Sequence, residues 1–273
     1  MTHFNGEFKL PPTHLVTDLD GTYLPLPDHP EHHVDLKVLT EKRNSDPFGL
    51  VFCTGRHFES VREVMDELSL ANPDWIICDV GTSIYHLEQG HFKPYTPYRD
   101  HLTAKVGEQQ RAFLVSVLEP VENLTLQCEA HQGTFKISFE CETEYTDSLV
   151  NTIASLLEKK QFPYEVHGSI DPFLNCGLID VLPKGVSKAY AVSWLSSHAD
   201  FDANAVIYSG DSGNDLTALT AGFRAILVAN HSEGLDQQVE ARLGDTAEHL
   251  LFKATKTATS GVLEGCRHFG LLS

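Results

Sequence analysis

Asp18 and Asp20 stand two residues apart in HLVTDLDGTYLP, His14–Pro25, and Gly21 and Thr22 follow at once. Two carboxylates that close repel each other, and a divalent cation relieves the repulsion. The stretch begins apolar, so the pair falls where a buried strand ends. Two other apolar runs end in the same way. Thr54-Gly55-Arg56 closes Leu50–Cys53, and GDSGND, Gly210–Asp215, closes the run that begins at Ala205. A lysine, Lys188, sits in PKGVSK. Carboxylates, a cation and a lysine together suit chemistry on an anionic group.

Each piece alone has a plainer reading. D-x-D-G-T fits a glycine turn, and T-G-R fits a strand-to-helix turn with Thr as the cap. GDSGND fits a loop capped by Asp and Asn, and Lys188 fits a surface lysine. Their order and their common placement at strand ends favour one joint site.

The elements that must position these residues follow from hydrophobic patterning. His14–Thr17, Leu50–Cys53, Trp75–Cys78, Ala205–Tyr208 and Ala225–Ala229 read as short buried strands. Their apolar runs are continuous rather than alternating, as in a parallel sheet covered on both faces. Phe58, Val61, Val64, Met65 and Leu68 recur at helical spacing, and Leu216 and Leu219 precede a candidate helix-ending Gly222. Strands alternating with helices imply a doubly wound α/β core. In such sheets ligands bind beyond the carboxyl ends of the strands. That rim receives Asp18, Asp20, Thr54, Asp211 and Asp215, and four carboxylates there need a cation. All-oxygen ligation by few protein groups suits Mg²⁺.

The middle of the chain differs. Leu102–Leu118 reads as a helix, and LTLQCEA and FKISFEC read as a hairpin. Asp147–Lys160 reads as a second helix, followed by strands at YEVHGSI and Gly177–Leu182. This is an α+β insert at 85–183, leaving 1–84 and 184–273 for the core.

The chain has 273 residues, is 41% hydrophobic and carries a formal net charge of −18. That charge opposes nucleic-acid backbones and anionic membranes as partners. No run approaches the roughly 18 apolar residues of a membrane helix, and the N-terminus has no apolar signal core, so a cytoplasmic protein is expected. The six cysteines form no C-x-x-C pair and read as small buried hydrophobes. The histidines of PDHPEHH, His29, His32 and His33, read as part of a solvated loop rather than a metal site.

Together, DLDGT (Asp18–Thr22), CTGR (Cys53–Arg56), PKGVSK (Pro183–Lys188) and GDSGND (Gly210–Asp215) resemble the four motifs of the haloacid-dehalogenase phosphatase superfamily. The resemblance covers nearly the whole chain. The insert between the second and third motifs is similar to the α+β cap of the Cof-type (IIB) branch. GDSGND, DVLPKGVSK and GVLEGCRHFG resemble the sucrose-phosphate phosphatases and their mannosylfructose-phosphate relatives most closely. The resemblance implies a Rossmann-like core with an inserted cap, and a Mg²⁺-dependent phosphatase for a sugar phosphate such as sucrose 6-phosphate.

It also implies residue roles. Asp18 would be the nucleophile and Asp20 the general acid and base. Thr54, Gly55 and Lys188 would hold the phosphoryl group. Asp18, the Asp20 carbonyl and Asp211 would hold Mg²⁺. Asp215 would hold a metal-bound water or Lys188, and Asn214 would support the loop and the substrate. Lys136, in FKISF, would reach substrate from the cap, against a plainer reading as a solvent-facing strand residue. Arg56 fits an ion pair as well as a substrate contact. Asp180 is not assigned to substrate. A sugar-phosphate synthase of the same pathway is the implied protein partner. A phosphosugar mutase and a non-catalytic sugar-phosphate sensor are the alternatives on this core.

Overall fold

The computed structural model describes residues 10–107, 110–171, 176–199 and 201–273; part of the N-terminal stretch read above, 1–9, lies outside them. The chain opens with β1 (His14–Thr17), α1 (Pro30–Ser45), β2 (Gly49–Cys53), α2 (Phe58–Glu67) and β3 (Trp75–Cys78), then β4 (Ser83–Glu88) and β5 (His91–Pro94). Next come α3 (Thr96–Val106), α4 (Gln110–Leu118), β6 (Thr125–Leu126), β7 (Ile137–Glu142), α5 (Thr146–Lys159), β8 (Tyr164–Asp171) and β9 (Cys176–Pro183). The last part holds α6 (Lys188–Ser196), β10 (Val206–Gly210), α7 (Leu216–Leu219), β11 (Arg224–Leu227), α8 (Leu235–Leu243), α9 (Ala247–Leu250), β12 (Leu251–Lys253) and α10 (Ala258–His268).

The residues fall into two compact units. The larger comprises 10–81, Tyr85–Lys93 and Ser187–Ser273, and the smaller Thr82–Ile84 and Pro94–Val186. The large unit carries an eight-stranded sheet in the order β12-β11-β10-β1-β2-β3-β4-β5. The pairings among β12, β11, β10, β1, β2 and β3 are all parallel. Leu15, Val16, Leu50, Val51, Phe52, Ile76, Ile77, Val206, Ile207, Ile226 and Leu227 have no exposed surface. Neighbours along a strand point to opposite faces, so both faces of the sheet are covered, as continuous apolar runs require. Each such side chain contributes about 1.5–3 kcal/mol of burial. The chain leaves β1 for β2 on one side and returns through β10 on the other. The topological switch point therefore lies beyond Thr17 and Gly210.

The smaller unit has an antiparallel sheet, β6-β7-β9-β8, with α5 packed on β8 and β9. Four expectations for the chain need correction. Apart from Thr82–Ile84, the insert begins at Pro94 rather than Tyr85 and ends at Val186, because β4 and β5 continue the large sheet and the Tyr85 ring stacks on Phe58 at 4.0 Å. The helix expected over Leu102–Leu118 is two helices, and α3 is capped by Gly107 at φ +83°. In LTLQCEA only Thr125 and Leu126 pair with β7, and Glu129–His131 form a turn. Only Pro27–His29 of PDHPEHH lie outside a helix: Pro30 starts α1, and His32 is fully buried. The His32 Nδ1 accepts from Leu26 N–H at 3.1 Å, so its Nε2 carries the proton and donates to Thr257 Oγ1 at 3.0 Å. Both ring nitrogens are engaged, which leaves none for a metal. Among the cysteines, Cys53, Cys78, Cys141 and Cys266 are buried, Cys128 is exposed and none is in a disulfide. No described helix is long and apolar enough to cross a membrane.

Candidate active site

The site is built at the switch point of the large unit. Asp18 N–H donates to Ser209 O at 3.0 Å, which extends the β1–β10 pairing to Asp18. The chain then makes a wide turn, closed by Tyr23 N–H to Asp18 O at 3.2 Å and Leu24 N–H to Leu19 O at 3.0 Å. Gly21 permits this turn at φ +69°, a region that side chains rarely adopt. A Cβ there would lie 2.4 Å from Asp211 Oδ2, so the missing side chain also seats the Asp211 carboxylate. Gly210 does the same for Asp215, whose Cγ would lie 2.5 Å from an added Cβ.

Asp18 is 4% exposed and Lys188 is fully buried. Lys188 Nζ lies 2.8 Å from Asp18 Oδ2 and 2.8 Å from Asp215 Oδ1. Asp18 Oδ1 accepts from Leu19 N–H at 2.7 Å. Lys188 is the first residue of α6, a helix end that disfavours a cation, and the two carboxylates offset this. Burial acts to lower the Lys188 pKa, but Asp18 and Asp215 overcome it and hold the ammonium protonated. The Asp211 carboxyl is pushed up to about 6, mainly by burial and then by Asp215, against the Thr22 hydroxyl and Lys188. Burial also raises the Asp18 carboxyl; Lys188 opposes this, and Asp215 and Asp211 add to it. Three carboxylates against one ammonium leave an excess of negative charge.

That excess, with all-oxygen donors, fits a small divalent cation. Carboxylate oxygens of Asp18, Asp211 and Asp215 lie within 4.8 Å of one another. They are not equally available. Asp215 Oδ1 already accepts from Lys188 and Tyr208, and its Oδ2 accepts from Asp211 N–H, Ser212 N–H and Ser212 Oγ. Asp211 accepts from Thr22 Oγ1 at 2.8 Å and keeps more of its capacity.

Asp20 faces another partner. Arg56 Nε donates to its Oδ2 at 2.7 Å and Nη2 to its Oδ1 at 2.6 Å, a bidentate pair. Arg56 also reaches Ser60 Oγ at 2.9 Å. In this conformation Arg56 is therefore in an ion pair with Asp20. Thr54 is buried, and its Oγ1 accepts from Arg56 N–H at 3.1 Å, which leaves its hydroxyl proton to donate. Gly55 follows it beside Val80. Asn214 is exposed, and its Oδ1 lies 3.2 Å from Ser212 Oγ, whose one proton it shares with Asp215 Oδ2. Lys136 belongs to the smaller unit. It is 7% exposed and 3.9 Å from Asp180, whose Oδ1 accepts from Ser138 Oγ at 2.6 Å. The solvent-facing reading of Lys136 is overturned: the residue lies just ahead of β7 and is buried.

Three contributors escape the sequence pattern. Thr22 anchors Asp211. Asn230 Nδ2 donates to Gly21 O at 2.7 Å while its Oδ1 accepts from Ala258 N–H at 2.7 Å, which ties the turn to α10. Tyr208 hides in an apolar strand, where only its hydroxyl departs from the pattern.

The family profile for sucrose-6F-phosphate phosphohydrolase matches residues 11–270. The chain belongs to that family. It is therefore a haloacid-dehalogenase phosphatase, a phosphoric monoester hydrolase of the sugar-phosphatase type. It is 27% identical over 259 residues to the mannosylfructose-phosphate phosphatase of Agrobacterium fabrum, covering 94% of this chain and 96% of that protein. It is 27% identical over 267 residues to sucrose-phosphatase 1 of Nicotiana tabacum, and there it spans only 59% of the tobacco protein's length. Its fold matches the crystal structure of the Synechocystis sucrose-phosphatase in complex with sucrose and phosphate. The TM-score is 0.78 with 25% identity, covering 95% of this chain and 98% of that one.

Proposed function

We propose that this protein hydrolyses a disaccharide phosphate, sucrose 6-phosphate or a close analogue, with Mg²⁺, through an aspartyl-phosphate on Asp18. The buried Lys188 ammonium, held between Asp18 and Asp215 beside Asp211, is the observation that carries the reading. It fixes the nucleophile and offsets charge where a phosphoryl group is transferred.

An Asp18 oxygen attacks phosphorus, and the bond from phosphorus to the sugar oxygen breaks. Asp20 gives its proton to that leaving oxygen. A water then attacks phosphorus, Asp20 takes the water proton, and the bond to Asp18 breaks to release phosphate. Asp20 must exchange Arg56 for the leaving oxygen, which an exposed ion pair allows. Thr54 O–H and the Gly55 turn hold the phosphoryl oxygens. Asp18, Asp211 and the Asp20 carbonyl would ligate Mg²⁺, which supplies charge for the phosphoryl oxygens. With five donors on its oxygens, Asp215 serves Lys188 and the Asp211 loop instead. Asn214 supports that loop.

The phosphoryl contacts are the same for every ester, so sugar choice rests with the smaller unit, acting as a cap. Lys136, Ser138 and the part-exposed Asp180 form its polar cluster, with donors and acceptors suited to sugar hydroxyls. A sugar-phosphate synthase would supply the substrate, and a cytoplasmic setting suits both. The similarity to a sucrose-phosphatase and a mannosylfructose-phosphate phosphatase supports a disaccharide phosphate. The test is kcat/KM for phosphate release from sucrose 6-phosphate and from glucose 6-phosphate, with Mg²⁺ and with chelator. A strong preference for the disaccharide, abolished by chelator, is expected. A ratio near one, isomer formation without phosphate, or full activity in chelator would overturn the reading.

A further inference from the structure

Tyr208 lies in β10 two residues before Gly210, and its side chain is fully buried. Its hydroxyl donates to Asp215 Oδ1 at 2.6 Å, and Lys188 Nζ donates to the same oxygen at 2.8 Å. On the other oxygen, Asp211 N–H and Ser212 N–H donate at 3.1 Å each and Ser212 Oγ at 3.3 Å. A carboxylate offers about four lone-pair sites, so these donors saturate Asp215. Saturation fixes its position and spreads its charge. Lys188 is then shared with Asp18 on equal terms, at 2.8 Å from each.

We infer that Tyr208 is a positioning residue for phosphoryl transfer: its hydroxyl occupies Asp215 Oδ1 and so sets Lys188 on Asp18. Without that hydroxyl, Oδ1 keeps the ammonium as its one side-chain donor. In a water-poor site the unsatisfied oxygen draws Lys188 toward Asp215 and away from the nucleophile. Phenylalanine would fill the same volume in β10 and suit the apolar run VIYSG better. The fold needs the ring there. The hydroxyl serves the Asp215–Lys188 pair.

The inference rests on the phosphatase reading only for its kinetic readout. The test compares wild type, Tyr208→Phe, Asp215→Asn and the double variant on p-nitrophenyl phosphate with Mg²⁺. Tyr208→Phe lowers kcat by about tenfold, the loss of one hydrogen bond to a charged group, and leaves KM within about twofold. In the Asp215→Asn background the same change adds little, because its route is gone. A second readout needs no turnover: in ¹⁵N-lysine-labelled protein, the Lys188 ammonium resonance moves in Tyr208→Phe while the other lysine signals stay. Unchanged kcat together with an unmoved Lys188 resonance in folded Tyr208→Phe would overturn the inference. Were the wild type to release no phosphate from any ester, the phosphatase reading would fall, and the Lys188 resonance would decide the role of Tyr208 by itself.

Discussion

Asp18 and Asp20 are two residues apart, yet the Asp18 side chain is 6% exposed and faces a lysine, while the Asp20 side chain is 54% exposed and faces an arginine. The turn at Gly21 separates them into two environments. Lys188 is a compact charge with no exposed surface, and it is fixed by two carboxylates. Arg56 is a planar fork, 31% exposed, matched to both oxygens of one carboxylate. A buried pair resists rearrangement, because separating it strands charge away from water. A partly exposed pair separates cheaply, because water replaces each partner. In the proposed mechanism the nucleophile must not move, and the general acid must. The two pairings divide the labour accordingly.

The first way to break this comparison is to remove the fixed carboxylate. Asp18→Asn keeps the shape, and kcat is expected to fall by about 10⁴ or more, as for other nucleophile removals. Phosphate release near the wild-type rate, from protein checked for deamidation, would contradict it. Lys188→Met comes next. It leaves Asp18 and Asp215 buried without their cation, so a loss of about 3–5 kcal/mol in denaturant unfolding is expected. A loss under about 1 kcal/mol, the range of exposed pairs, would erase the contrast.

Arg56→Ala probes the exchangeable end. Its cost to stability is expected within about 0.2–1 kcal/mol, and its effect on kcat below tenfold. A collapse of activity comparable with that of Lys188→Met would mean that Arg56 acts on the reacting group itself.

The smallest effect concerns pH. Asp211 is raised to about 6 in the fold, chiefly by burial and next by Asp215. Folded protein then holds more protons than unfolded protein between about pH 4 and pH 6. The contribution of Asp211 to stability is present below about pH 4 and is lost as pH rises to about 6. A bound cation offsets that loss. The gain in Tm on adding Mg²⁺ is therefore expected to be larger at pH 7.5 than at pH 5, and equal gains at both would contradict it.

The core was legible because its strands are short continuous apolar runs that end on polar residues. His14–Thr17 and Trp75–Cys78 have the expected ends for that reason. LTLQCEA misled because alternation says nothing about where a partner strand ends, and Cys128 is exposed rather than packed. PDHPEHH misled because proline reads as a loop breaker as readily as a helix start, and a histidine paired on both nitrogens looks like a solvated one. The carboxylates and Lys188 declared themselves by type and position. Their partners did not. Arg56 could reach any acid, Lys136 looked solvent-facing by alternation, and Tyr208 counted as one more apolar residue of its strand.

The division between fixed nucleophile and mobile acid is tested most directly by Asp20→Asn with p-nitrophenyl phosphate and Mg²⁺ in a rapid-quench experiment. This leaving group needs no proton, so Asp18 should still be phosphorylated. The water that clears it lacks its base, so the intermediate should accumulate. A stoichiometric burst of p-nitrophenol followed by slow turnover is expected, with the acid-quenched adduct on the peptide that carries Asp18. Phosphate release with no burst, or an adduct on any other residue, would contradict the assignment of both carboxylates.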